Sequence, residues 1–266
     1  MNKVSKNIED LTPAIPSVVR RLSGDEETRL VWVNERGGLT FRAGNRFIKW
    51  NPRANGLDLE GERLRLEWAI RWHPVPKVLQ WGANEAAQWL VTAGLPGEGA
   101  VTARWLVRPF DAVRAIGRGL RMLHDSLPIA QCPFNWSIET RTGHRITTER
   151  LGAPPIDRLV VCHGDACSPN TIIAPDGSPV GHVDLGALGL ADRWADLAVA
   201  SMNLDYNFGP NWEQEFFMAY GIERDEERIS FYRFLWDNED MIGLPDAARS
   251  PNAPDANNPV DAKHSV

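Results

Sequence analysis

The order of segments predicts an α+β chain of two lobes, the first β-rich and the second mainly helical. Three observations carry this. Short extended runs fill residues 30–92, with one long amphipathic run among them. A Gly/Pro break, Gly94-Leu95-Pro96-Gly97-Glu98-Gly99, follows and reads as a hinge. Past the break, apolar residues recur at helical spacing in several segments.

Leu30-Val31-Trp32-Val33-Asn34 and Leu39-Thr40-Phe41-Arg42 are rich in apolar, β-branched and aromatic residues, and Glu35-Arg36-Gly37-Gly38 separates them, so they read as strand, turn, strand. Residues 46–50 supply a third strand, and 77–81 and 88–92 two more. Between them, 59–72 shows helical periodicity through Leu59, Leu64, Leu66, Ala69 and Ile70, stopped by Pro74 and Pro76. In the second lobe, 111–126 places Val113, Ile116, Leu120 and Leu123 on one helical face. Helices are also expected over 192–202, with Asp192 as N-cap, and over 211–220 and 223–235. From Leu244 the chain is rich in Pro, Ala, Asn and Asp and reads as a disordered tail. The expected division is 1–93, 94–245 and a tail of 246–266, with a ligand in the cleft between the lobes.

The 266 residues suit one large domain or two small lobes. No apolar run is long enough to cross a bilayer, and residues 1–10 lack the apolar segment of a signal peptide. Cys132, Cys162 and Cys167 are odd in number without metal-like spacing, so free thiols and a cytoplasmic location are expected. The net charge of -6 and the lack of a basic stripe argue against nucleic acid as a partner. Acidic residues thicken toward the C-terminus, which suits either a cationic small molecule or a solvated helix face.

The chemistry concentrates in Val160-Val161-Cys162-His163-Gly164-Asp165-Ala166-Cys167-Ser168-Pro169-Asn170 and in Val183-Asp184-Leu185-Gly186. Asp165 and Asn170 have the Asp-x-x-x-x-Asn spacing of protein-kinase catalytic loops, in which Asp takes a hydroxyl proton and Asn holds magnesium. Thr171-Ile172-Ile173, a Pro/Gly turn and Val180-Gly181-His182-Val183 read as a hairpin. A hairpin brings its entry and exit together, so Asn170 and Asp184 are expected to be neighbours able to share a magnesium ion. Lys49 is the one lysine that follows an apolar pair inside a strand of the first lobe, placed to meet nucleotide phosphates as a point charge. Glu60, Glu62 and Glu67 on the following helix are its candidate partners. The turn from Asn34 through Gly37 and Gly38 would lie over the phosphates.

With these motifs in place, the chain resembles the aminoglycoside O-phosphotransferases of the 3′/3″ group, whose fold is protein-kinase-like. The resemblance spans about residues 30–240. It rests on Leu120-Arg121-Met122-Leu123-His124 with Gln131-Cys132-Pro133-Phe134, on the two motifs above, and on Ala191-Asp192-Arg193-Trp194 with Asp196-Leu197-Ala198. It implies an ATP- or GTP-dependent transfer of phosphate to an antibiotic hydroxyl. Asp165 is then the catalytic base, Asn170 and Asp184 hold Mg2+, and Lys49 pairs with Glu62. Thr92, Ala93 and Gly94 contact the nucleobase, His163 and Asp196 brace the loop, and Asp237, Glu239 or Asp240 meet the substrate. The chain departs from the family pattern in the short 135–159 segment and in Ala187 after the metal-loop glycine. Two other readings stay open: a metabolite kinase acting on an amino alcohol or sugar, and a regulatory pseudokinase.

Overall fold

The computed structural model describes residues 14–34 and 36–242. A short helix, α1 (Ser17–Ser23), precedes the first strands and was not foreseen in the sequence. Strands β1 (Thr28–Val33), β2 (Leu39–Ala43) and β3 (Arg46–Pro52) lead to helix α2 (Leu59–Ala69), then β4 (Val78–Ala83) and β5 (Ala87–Ala93). The five strands form an antiparallel sheet in the order β1-β2-β3-β5-β4. Its buried face gathers Phe41, Ala43, Ile48 and Val91 with Val19 of α1. α2 is capped by Asp58, whose side chain accepts the Gly61 amide, and it stops at Ala69, three residues short of the expected end.

The second lobe begins with β6 (Glu98–Gly99), α3 (Ala103–Leu106) and α4 (Pro109–Ser126). Short helices α5 (Ile138–Arg141) and α6 (Thr148–Leu151) follow, then β7 (Leu159–Cys162), β8 (Thr171–Ile173), β9 (Pro179–His182) and β10 (Gly189–Asp192). Helices α7 (Trp194–Phe208), α8 (Glu213–Tyr220) and α9 (Glu226–Asn238) close the lobe. α4, α7, α8 and α9 enclose a core that includes Ile116, Leu120, Trp194, Phe216, Phe217 and Tyr220.

Asp192 is a correction. It ends β10, paired in register with Leu159, and α7 starts two residues later. Its carboxylate still accepts the Trp194 amide at 3.2 Å, so the capping chemistry survives from a strand position. β10 itself was not expected; it pairs antiparallel with β7 and leaves only 185–188 between Asp184 and the next element. The expected tail of 246–266 lies outside the described residues. Among the described residues, no helix is long and apolar enough to cross a membrane.

A third apolar cluster joins the lobes. Leu59, Leu66, Trp68 and Ala69 of α2, with Val75 and Leu90, meet Leu123, Leu127, Val161, Leu185 and Leu188. Polar contacts reinforce it: Arg65 Nε donates to the Leu188 carbonyl at 2.9 Å and Trp68 Nε1 to the Gln131 carbonyl at 3.0 Å. α2 is therefore fastened to the second lobe along its length.

Candidate active site

The buried strand β7 delivers His163-Gly164-Asp165 to the cleft. Gly164 turns the chain at φ 85, and a Cβ there would stand 2.3 Å from the Ala187 carbonyl oxygen, so only glycine fits. The loop is held from beneath by Asp196 on α7, whose side chain is fully buried. Its Oδ2 accepts the His163 amide at 2.5 Å and faces His124 Nε2 at 3.0 Å, while Oδ1 accepts the Gly164 amide at 3.0 Å. Burial works against this charge, but the His124 hydrogen bond and the surrounding donors hold Asp196 below the usual carboxylate range. His163 in turn accepts the Asp165 amide at Nδ1 (3.1 Å) and meets the Val183 carbonyl through Nε2 (2.9 Å).

Asp165 sits at the end of this scaffold. Among the described residues its Oδ1 is buried without a hydrogen-bond partner. A neighbouring thiol, Cys167, has its pKa raised by burial and then by the Asp165 charge, so it stays protonated. The Asn170 side chain donates from Nδ2 to the Asp165 carbonyl at 3.0 Å, which leaves its Oδ1 as an oxygen donor.

The hairpin folds back as its sequence suggests. Thr171 pairs with His182, and the Val183 amide donates to the Asn170 carbonyl at 3.0 Å. Asp184 follows at φ 65, a left-handed conformation uncommon for a residue with a side chain.

Lys49 reaches into the same place from β3. Its Nζ donates to Glu62 Oε1 at 2.6 Å and also contacts Asp184 Oδ1. Burial opposes the ammonium, but the Asp184 and Glu62 charges outweigh it and raise the Lys49 pKa above its ordinary value. Burial likewise opposes the Asp184 carboxylate, and Lys49 holds it below its usual range. For Glu62 burial prevails over Lys49, and the pKa is raised. Of the three candidate partners for Lys49, the structure brings Glu62 to it; Glu60 and Glu67 pair with Arg63.

The oxygen set offered by Asn170 Oδ1 and the Asp184 carboxylate has the hard-donor chemistry magnesium requires. These residues fit such an ion.

Other expected residues are arranged differently. In the 34–38 turn the amides of Arg36 and Gly38 donate to Asn34 Oδ1, and that of Gly37 to the Asn34 carbonyl. They do not form an open row of donors, because the Asn34 side chain and carbonyl take them. At the hinge, the Ala93 amide donates to Lys77 O and the Gly94 amide to Asn45 O. The first amide past the strand with no partner among the described residues is that of Leu95. Glu239 is bound by Arg141 Nε at 2.7 Å, whereas Asp237 and Asp240 are exposed. Arg141, Arg145 and Arg158 of the short 135–159 segment serve as ties: Arg145 donates to the carbonyls of Glu239, Asp240 and Ile242. His73 and His182, buried beside this site, were not foreseen, because nothing local marks two histidines that meet across the fold.

Comparison with known proteins agrees with this architecture. Residues 141–232 match the phosphotransferase enzyme family. An aminoglycoside 3′-phosphotransferase of Streptomyces fradiae is 34% identical over 225 residues, covering 71% of this chain and 84% of that one. A streptomycin 3″-kinase of Streptomyces griseus is 34% identical over 247 residues, covering 77% and 89%. Among solved structures, an aminoglycoside phosphotransferase of type 3″-Id from Streptomyces rimosus, in complex with ADP and streptomycin, superposes with a TM-score of 0.63. Its identity is 29%, with 80% and 93% of the two chains covered. The fold is protein-kinase-like, and the protein is a nucleotide-binding phosphotransferase with a small-molecule acceptor. On these grounds, the chain belongs to the aminoglycoside phosphotransferase family.

Proposed function

We propose that this protein moves the γ-phosphoryl group of ATP or GTP to a hydroxyl of an aminoglycoside antibiotic, which inactivates the drug. The observation that carries the reading is Asp165 Oδ1, a buried carboxylate oxygen without a hydrogen-bond partner among the described residues, on a loop that Asn170 ties to the base of the hairpin leading to Asp184. A buried acceptor of this kind is costly unless a ligand donates to it.

The acceptor hydroxyl donates to Asp165, and its oxygen attacks the γ-phosphorus. The new O–P bond forms as the bond to the β-phosphate oxygen breaks, and the proton passes to Asp165. Lys49 binds phosphate oxygens, with Glu62 fixing the ammonium. Asn170 Oδ1 and Asp184 hold Mg2+, which when bound neutralises phosphate charge. The Leu95 amide, open among the described residues, offers a base a hinge donor beside the backbone groups of Thr92, Ala93 and Gly94. The exposed Asp237 and Asp240 suit a polycationic acceptor.

The test is nucleotide consumption by purified protein against kanamycin-like and streptomycin-like compounds, choline, ethanolamine and simple sugars, with Asp165→Asn as control. The reading expects aminoglycosides to give the highest kcat/KM, and the variant to lose about 10²–10⁴-fold in kcat. A preference for choline or ethanolamine would replace the substrate with an amino alcohol. Undiminished turnover in the variant would remove Asp165 from the reaction.

A further inference from the structure

We propose that His73 and His182 are positioning residues for the loop that presents Asp184: one directed hydrogen bond between their rings ties that loop to the segment following α2, the helix that carries Glu62. The inference rests on the role given to Asp184 above. Lys49 is gripped by two carboxylates from different lobes, Glu62 and Asp184, and their spacing depends on whatever joins α2 to the end of β9.

The junction is close and polar. His182 is the last residue of β9, and its amide donates to the Pro74 carbonyl at 3.2 Å. Next to it, a Cβ on Gly181 would fall 2.1 Å from that same carbonyl oxygen, so the two backbones touch with no side chain between them. Both histidines are buried, each 2% exposed. His73 Nε2 faces His182 Nδ1 at 2.9 Å, and His73 Nδ1 faces Ser126 Oγ at 3.1 Å at the end of α4.

Hydrogen-bond accounting fixes the direction. His182 Nε2 is buried and has no partner among the described residues. If His73 donated to His182, the His182 proton would sit on Nε2 as an orphaned donor. If His182 donates from Nδ1, only a lone pair is left over, the lesser penalty. His73 then carries its proton on Nδ1 and donates to Ser126, whose hydroxyl donates to the Leu123 carbonyl at 3.2 Å. Every donor in the series is satisfied, and both rings are neutral.

This series stabilises the strained part of the site. Asp184 is held at φ 65, and a residue in that conformation persists only when its neighbours over-determine it. Val183 is fixed by Asn170 and His163, and His182 by Pro74 and His73. Loss of the ring–ring bond frees the loop at its entry while leaving in place the Asp196 grip on the His163 and Gly164 amides that carries Asp165.

Two measurements test this on the full chain. Long-range proton–nitrogen NMR of the unmodified protein at pH 7.5 should find the Nδ1–H tautomer at both His73 and His182. An Nε2–H tautomer or a charged ring at either position overturns the direction argued here. In steady-state kinetics, His182→Leu should raise KM for Mg-nucleotide about tenfold, the equivalent of one buried hydrogen bond, while KM for the acceptor stays put. His182→Asn, which keeps a donor where Nδ1 stands, should recover most of the loss. His73→Leu added to His182→Leu should cost nothing more, since both remove the same bond. An unchanged nucleotide KM in His182→Leu, with Asp184→Asn impaired, overturns the positioning role. An unchanged KM in Asp184→Asn overturns the site assignment beneath it.

Discussion

Replacing Asp196 with asparagine removes one oxygen and one charge from the point where three donors converge. The carboxylate takes the His163 amide and His124 on Oδ2 and the Gly164 amide on Oδ1. A carboxamide has a single acceptor oxygen. In its better orientation that oxygen keeps His163 and His124, and the NH2 group then faces the Gly164 amide, donor against donor. Two charge-assisted bonds become neutral, at about 1 kcal/mol each, and one buried amide loses its acceptor, at about 1–3 kcal/mol. The site admits no compensating water path, since Asp196 has no exposed surface. The expected loss is about 3–5 kcal/mol, read as a shift in urea midpoint at unchanged m-value. Hydrogen exchange at the Gly164 amide should rise with it. A loss below about 1 kcal/mol with Gly164 still protected would refute the claim that this carboxylate supports the loop.

Lys49→Met leaves Glu62 buried without its cation and should cost about 2–3 kcal/mol, less than the 3–5 typical of fully buried pairs because the ammonium is partly exposed. Adding Glu62→Leu should restore part of that in a denaturant titration, with nucleotide affinity still lost. Gly164→Ala combines a positive φ with overlap on Ala187 O; a fall in Tm of several degrees or failure to accumulate folded protein is expected, and a wild-type Tm would contradict the packing described. Burial, then the His163 and His124 charges, depress the His73 pKa to about 4. As pH falls below the ordinary histidine value of about 6.5, the unfolded chain binds the proton first, so up to about 3 kcal/mol of stability is lost between there and pH 4. Urea titrations at pH 7 and 5 should show the loss, and His73→Leu should reduce it, the remainder belonging to His182, whose pKa burial also depresses.

Local signals made much of this legible. The Asp165–Asn170 spacing, the Pro/Gly turn of the hairpin and the single strand-borne lysine each depend on neighbours in sequence, and each could be read there. Lys49 had three possible partners by helix position, and only the facing of α2 toward the cleft separates Glu62 from Glu60 and Glu67. The 34–38 turn was readable as a turn, but not the fact that Asn34 would take its amides. β10 is four residues whose strand character comes from β7, 30 positions earlier. The His73–His182 contact joins residues 109 apart, and no periodicity reports such a meeting. The short 135–159 segment reads only as a departure from the family pattern, and the fold uses its Arg141 and Arg145 to hold the end of α9.

α2 is fastened to the far lobe at Arg65 and Trp68. A helix moored at two points moves only as a passenger of the body to which it is moored. The glutamate it carries therefore travels with the second lobe while Lys49 rides on the first, so their ion pair gauges how far apart the two lobes stand.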